Sequence, residues 1–213
     1  MIGHFDWAGG REAMLRLGPD AGAVVIVALP AFEEANRTRT FAVTVMRALA
    51  TGGIGSVLPD LPGTNDSLMR TEDATLAGWR AAFAAAARAT GARWSVAIRS
   101  GALIDAEAEL AGRWQLAPQD GAGLCRELDR LRQAGSGASD DTVEIAGNRV
   151  SGALLDELRP AVPSTARVVR LASDAQPADL KLDGPPLWRR AEPDNDPGFA
   201  AVLARDIAAW IGG

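Results

Sequence analysis

The chain holds one cysteine, Cys125, one histidine, His4, and no tyrosine. One thiol makes no internal disulfide, and one thiol with one imidazole falls short of a Cys/His zinc site within a monomer. No disulfide scaffold and no Cys/His zinc centre is therefore expected, and no other metal or cofactor is assigned. Any Ser-His-Asp chemistry has to run through His4. Long apolar runs are also missing: the most continuous, Ala23 to Ala31, falls far below the roughly 18 residues of a membrane helix, so no membrane span is expected. Charge of one sign is nowhere concentrated. With 22 Lys and Arg against 27 Asp and Glu the net charge is -5, and the arginines are scattered, which argues against a nucleic-acid surface. The opening MIGHFDWAGGREAML has neither a basic segment followed by an apolar one nor an Arg-rich amphipathic leader, so a cytoplasmic location is expected. No glycine-rich phosphate loop and no internal repeat occur.

What the sequence does hold is an alternation of short apolar runs and helical stripes. The 213 residues, 47% of them hydrophobic, suit one domain with a sizeable core, residues 1–213. AVVIVALP after Gly22 is rich in β-branched residues and ends at Pro30, the pattern of a strand buried on both faces. Thr40 to Ala50 carries Phe41, Val45, Ala48 and Leu49 at helical spacing and stops at Gly52-Gly53. GSVLPDLPG predicts a second strand ending near Pro59-Asp60, and Thr71 to Thr90 an Ala-rich helix with Leu76, Trp79 and Phe83 on one stripe. The grammar repeats with a strand Trp94 to Ile98, a turn at Arg99-Ser100-Gly101, a helix from about Ala102 and a strand near Gly112 to Leu116. The fold class is α/β: a mostly parallel sheet with helices on both faces, in three layers. Asp120 to about Pro163 reads as a cap-like excursion: a helix to Ala134, a loop Gly135 to Asp141, a strand Thr142 to Ala146 and a helix Ser151 to Leu158. Ala166 to Ala172 returns as a strand, PPLWRRAE adds one at the edge, Phe199 to Ile211 closes as a helix, and Glu12 to Leu17 pairs antiparallel at the other edge.

Ligands of such sheets gather beyond the carboxyl ends of the strands, which points to the loops beginning at Pro30, Asp60, Arg99, Gln115 and Ser173. The first, PAFEEANRTR, places Glu33, Glu34, Asn36, Arg37 and Arg39 between a buried strand and a helix; the simplest structural reading has Asn36 or Thr38 capping that helix. The second, PDLPGTNDS, ends in Asp66-Ser67, which also suits a helix cap. The third has the strand, sharp turn and helix of a nucleophile elbow, G-x-S-x-G. In register it reads Ala97-Ile98-Arg99-Ser100-Gly101, so Arg99 occupies the nucleophile position, where a permanently protonated guanidinium cannot attack a carbonyl. Ser100 follows one position later, aimed differently. No histidine follows the last strand, His4 precedes the first sheet element, and Asp174, at the acid position, has no imidazole to orient. Cys125, beside Leu124 and Leu128, is expected to be a small core residue.

PAFEEANRTRT followed by VLPDLPGTNDS resembles the blocks PFAEEMNKSR and LPDLxGxGDS of the exosortase A system-associated hydrolase 2 family. AIRSGALID, RWQLAPQDGAGLCRELDRLR, VEIAGNRVSGALLDEL and GPPLWRR resemble further blocks of that family, in order, over nearly the whole chain. The resemblance implies an α/β-hydrolase core linked to bacterial exopolysaccharide and PEP-CTERM protein-sorting systems, with Arg at the elbow as a family trait. Position by position it carries over Glu33, Glu34, Asn36, Thr38, Arg39, Asp60, Asp66, Ser67, Arg99, Gly101, Trp114 and Gln115. The chain departs from the pattern at Ala97 for Gly, Ala117 before Pro118 and Asn148 for Tyr, and the first departure argues against a strained elbow.

Three functions are compatible with these residues. The first is a pseudoenzyme: a binding or accessory protein without the triad, its polar cleft formed by Glu33, Glu34, Asn36, Arg39, Asp66, Arg99 and Gln115, with Glu34 reaching Arg99. Its partner would be a small carboxylated or acylated molecule, or a protein of the exopolysaccharide and sorting system. The second is an ester or thioester hydrolase using Ser100 or Ser67 with Glu34 or Asp66 as base, which needs burial to raise the carboxylate pKa. The third is an interaction module presenting the excursion to another protein. The first is favoured, because the nucleophile and the histidine are the parts acyl transfer depends on most.

Overall fold

The computed structural model describes residues 1–134, 138–139, 142–145 and 148–213. An eight-stranded sheet runs in the order β1-β2-β4-β3-β5-β6-β10-β11. Its parallel strands are β3 (Val24–Ala28), β4 (Gly55–Pro59), β5 (Trp94–Ile98), β6 (Gly112–Leu116), β10 (Arg167–Leu171) and β11 (Leu180–Leu182). The first two strands, β1 (Ile2–Trp7) and β2 (Gly10–Leu17), form an antiparallel hairpin joined to β4 through β2. Every residue of β3 is buried, as its continuous apolar run predicts. The period of two divides it between the layers. Val24, Ile26 and Ala28 pack with α2 (Leu76–Thr90), while Val25 and Val27 pack with α1 (Glu33–Thr51) and α5 (Pro197–Gly212). Between α1 and α5 the rings of Phe41 and Phe199 stack at 5.6 Å. No helix among the described residues is long and apolar enough to cross a membrane.

Between β6 and β10 the chain adds no strand to this sheet. It forms α3 (Gly121–Ala134), a separate antiparallel sheet of β7 (Ala138–Ser139), β8 (Thr142–Ile145) and β9 (Asn148–Ser151), and α4 (Gly152–Leu158). Ser151 caps α4 by accepting the Leu154 amide, and Val150, Leu154 and Leu158 join the core layer that holds α2. Of the predicted loop Gly135 to Asp141, residues 138–139 are strand and the rest lie outside the described residues, as does Ala146 at the predicted strand's end.

Several boundaries differ from expectation, each for a physical reason. His4 lies within β1 rather than before the sheet, so β2 is one strand in from the edge. α1 begins at Glu33, seven residues before its predicted start at Thr40, because two glutamates in the first turn suit a helix N-terminus. Asn36 and Thr38 are therefore inside it and cap nothing; the Thr38 hydroxyl donates back to the Glu34 carbonyl. α2 starts at Leu76 with Thr75 as its cap, after a 3₁₀ turn at Thr71–Asp73, so Asp66 and Ser67 do not cap it. The helix expected from Ala102 is replaced by 3₁₀ turns at Arg99–Leu103 and Asp105–Glu107. There the carbonyls of Leu103, Asp105 and Ala108, which a helix would use, accept from Arg80 and Arg113. PPLWRRAE is not a strand: Pro185 and Pro186 offer no amides to a ladder, Leu187–Arg189 makes a 3₁₀ turn, and the edge belongs to β11.

Candidate functional site

At the end of β5 the chain turns through Arg99, whose φ of 54° lies in the left-handed region that β-carbon-bearing residues avoid. The strained elbow is thus present although Ala97 replaces the expected glycine, contrary to the reading of that departure. The tightness comes from Gly101, packed against β3 so closely that a β-carbon there would overlap the Ala28 and Leu29 carbonyl oxygens.

The Arg99 side chain is only 11% exposed and is held through Nε and Nη2. Its Nε donates to Glu34 at 3.3 Å, and its Nη2 to Glu34 at 3.4 Å and to Glu127 of α3 at 3.2 Å. Its guanidinium carbon lies 5.3 Å from the ring centroid of Trp188, a cation–π contact. Trp188 sits on the loop after β11, the place from which a triad histidine would reach the elbow. Burial pushes the Glu34 carboxyl above its ordinary range, Arg99 pulls it partly back, and the like charge of Glu127 adds to the upward push.

The two serines differ in their partners. Ser100 is buried, and its hydroxyl oxygen accepts the Ala31 amide at 3.0 Å across the strand ends. That amide lies on the loop after β3, where a hydrolase keeps an amide free for the oxyanion. Among the described residues no carboxylate bonds Ser100. Ser67 accepts the Gly63 and Met69 amides and donates to Glu12 of β2 at 3.0 Å, so its contact is neither Asp66 nor Glu34. Asp66 is exposed and His4 lies exposed on the far edge strand, four positions from β5 in the sheet order. Asp174, following β10, pairs with Arg170 at 2.8 Å. Partial burial pushes its carboxyl up, but the Gln176 amide and Arg170 outweigh that and hold it below the ordinary range.

Three cavities open at the carboxyl ends of the strands. One of about 370 Å³ lies beside Arg99, walled by Phe32, Leu124, Leu128 and Trp188 and rimmed by Glu33 and Arg37. A polar one of about 430 Å³ meets it across Arg99, Glu127, Trp188 and Arg189. A third, about 270 Å³, lies on the β4 side over Trp79 and Phe83, with Asn36 and Arg39 at its rim. Arg39 donates to Asp60 at 3.2 Å, as does Asn65 at 2.8 Å; burial nevertheless leaves the Asp60 carboxyl above its usual range.

The residues expected in one cleft are therefore divided. Glu33, Glu34 and Arg99 share the cavity at the elbow, whereas Asn36 and Arg39 face the separate β4-side cavity. Gln115 lines none of the three; it is buried and donates to the Ser164 carbonyl at 3.3 Å, in the segment leading into β10. Glu127, Trp188, Arg170 and Arg189 were missing from the expected site. Glu127 had a local signal, a carboxylate between Leu124 and Leu128 on a helical stripe, while Trp188 and the arginines reach the site only through the strand order. Cys125 is buried as expected, its thiol pushed up by burial.

No protein-family model matches the chain, and no curated protein is similar to it in sequence. Solved structures are similar in fold. α/β-Hydrolase domain-containing protein 10 from mouse superposes with a TM-score of 0.65 at 12% identity, over 100% of this chain and 98% of that one. A provisionally assigned hydrolase from Agrobacterium vitis S4 gives 0.61 at 17%, over 98% and 97%. Est1E from Butyrivibrio proteoclasticus, in its ferulic acid complex, gives 0.57 at 14%, over 79% and 77%. The fold is that of the α/β-hydrolases, as the sequence resemblance implies.

Proposed function

We propose that this chain is a non-hydrolytic binding protein on the α/β-hydrolase fold, taking a small ligand in the cleft around Arg99. The observation that carries the reading is Arg99 itself: at the nucleophile's place stands a guanidinium held by Glu34 and Glu127 and stacked on Trp188. Such a group neither attacks a carbonyl nor takes a proton, but it orders two carboxylates and an indole around an adjacent cavity. The contact of Ser100 supports it further, since its hydroxyl oxygen is taken by the Ala31 amide and no carboxylate among the described residues bonds it. In this reading residues from about 120 to 163 act as a cap, with α3 supplying Leu124, Glu127 and Leu128 to the cavity wall. The sequence blocks shared with exosortase A system-associated hydrolase 2 support a setting among bacterial exopolysaccharide and protein-sorting systems.

A fluorophosphonate probe tests the reading together with a panel of aryl esters and thioesters. The expected result is no labelling above that of the denatured chain and no turnover. Stoichiometric labelling that disappears in Ser100→Ala or Ser67→Ala would overturn it and establish the hydrolase.

A further inference from the structure

The β4-side cavity shares only Ala31 and Phe32 with the one at Arg99. Among the described residues Arg39 is the one charged group in its lining. Its Nη1 donates to Asp60 at 3.2 Å, and the Asp60 side chain, only 5% exposed, fixes the guanidinium in place. The other edge of the fork, Nε with Nη2, has no partner among the described residues. The Arg39 side chain is 35% exposed and neither nitrogen is sealed from solvent, so that edge is open to a small molecule.

Arg99 displays what such an edge does. There Nε and Nη2 together hold the Glu34 carboxylate while Nη2 also serves Glu127, so that one guanidinium carries two carboxylates. Arg39 holds only one. Every other side-chain donor in the cavity lining has a partner within the chain: the Thr64 hydroxyl donates to the Leu61 carbonyl, Thr71 to Gly63, Asn65 to Asp60, Trp79 to Pro62 and Asn36 to Glu33. The accessible apolar wall is Leu29, Phe32 and Leu61, each half-buried, backed by Trp79 and Phe83.

Going beyond the Arg99 cleft, we propose that the β4-side cavity binds a small apolar monocarboxylate. The carboxylate sits on the Nε–Nη2 edge of Arg39, and a single ring or branched alkyl body lies against Leu29, Phe32 and Leu61. One cation, already shared with Asp60, answers one negative charge and not the roughly two of a phosphate. With the remaining donors bonded within the chain, a hydroxylated body gains nothing over an apolar one. The volume of about 270 Å³ stands at the small end of ligand sites and excludes a nucleotide-sized occupant.

Titration calorimetry on the full chain at pH 7 and fixed ionic strength, with phenylacetate, phenethyl alcohol and acetate, tests this. Saturable binding of phenylacetate is expected, about tenfold or more tighter than the alcohol, which lacks the charge, and than acetate, which lacks the ring. Arg39→Lys keeps a cation beside Asp60 but has no forked edge, and should weaken phenylacetate about tenfold. Arg39→Gln should remove its advantage over the alcohol. Leu131→Ala, in the wall of the Arg99 cavity, should change nothing. No saturable binding of phenylacetate, equal binding of the alcohol, an unchanged Arg39→Lys, or a loss of binding in Leu131→Ala would each overturn the proposal. These outcomes leave the non-hydrolytic reading standing, because that reading falls only with serine labelling or turnover.

Discussion

Replacing Arg99 by methionine removes the charge while keeping the β-carbon and an unbranched apolar stem, so the backbone strain at φ 54° is unchanged. Glu34 then loses its main partner. Its side chain is 16% exposed, against 41% for Glu127, so the two carboxylates respond differently. Breaking a fully buried pair costs about 3–5 kcal/mol, and an exposed pair is worth about 0–1 kcal/mol. Glu34 is not fully enclosed and can escape by taking up a proton, which places the expected loss at about 2–4 kcal/mol at pH 7, most of it from Glu34. At about 2–4 °C per kcal/mol for a chain of this size, Tm should fall by roughly 5–15 °C. The pH dependence follows from the direction of the Glu34 shift. A carboxyl raised in the folded state destabilises above its folded pKa and ceases to do so below its unfolded pKa. Loss of Arg99 raises it further, so the deficit should shrink from pH 7 to pH 5. Urea and thermal melts followed by circular dichroism, with Arg99→Met/Glu34→Gln and Glu127→Gln alongside, measure this. The double variant should recover most of the loss. A deficit under about 0.5 kcal/mol, one that is unchanged at pH 5, or one matched by Glu127→Gln alone would refute the reasoning.

Further outcomes follow from single contacts. Gly101→Ala should cost about 3 kcal/mol or more, or prevent folding, because its β-carbon meets backbone oxygens of β3 and the residue after it; a variant melting with the parent would contradict the elbow's packing. Ser100→Ala should cost about 1–3 kcal/mol by orphaning the buried Ala31 amide, with no change in reaction with a fluorophosphonate. Partial burial pushes the Asp206 carboxyl up, but Arg167 and the Trp114 indole outweigh that and hold it below the ordinary range. A depressed carboxyl stabilises above its unfolded pKa and loses that contribution as pH falls through its folded one, so Asp206→Asn should be destabilised at pH 7 and converge on the parent as pH falls below the ordinary carboxylate range, read from melts across pH. Cys125, buried with its thiol pushed up, should react with a disulfide reagent slowly in the folded chain and rapidly in denaturant.

The strands Trp94–Ile98 and Gly112–Leu116 fall where their local patterns put them, and β3 is buried throughout. Such segments were legible because alternation, β-branching and flanking glycines act within a few residues. Arg99 at the elbow was legible for the same reason. The failures lie where distant groups intervene. Arg80 and Arg113 take the carbonyls that a helix after Ala102 would have used, and the β1–β2 hairpin draws its stability from pairing and packing against α2 rather than from a local signal.

By itself, then, the sequence determined the α/β class, the buried central strands, and the two chemical absences, no serine at the elbow and no histidine after the last strand. Only the tertiary structure decided what surrounds Arg99 beyond Glu34, whose approach was already expected. Glu34 lies 65 residues away and Glu127 28, and Trp188 comes from the far side of the sheet. It also separated Asn36 and Arg39 from that cleft and opened a second, polar cavity beside it. The physical reason is one of range. Burial preference and periodicity are written residue by residue, whereas the meeting of charges at the strand ends depends on the strand order and on the angle at which each loop leaves the sheet.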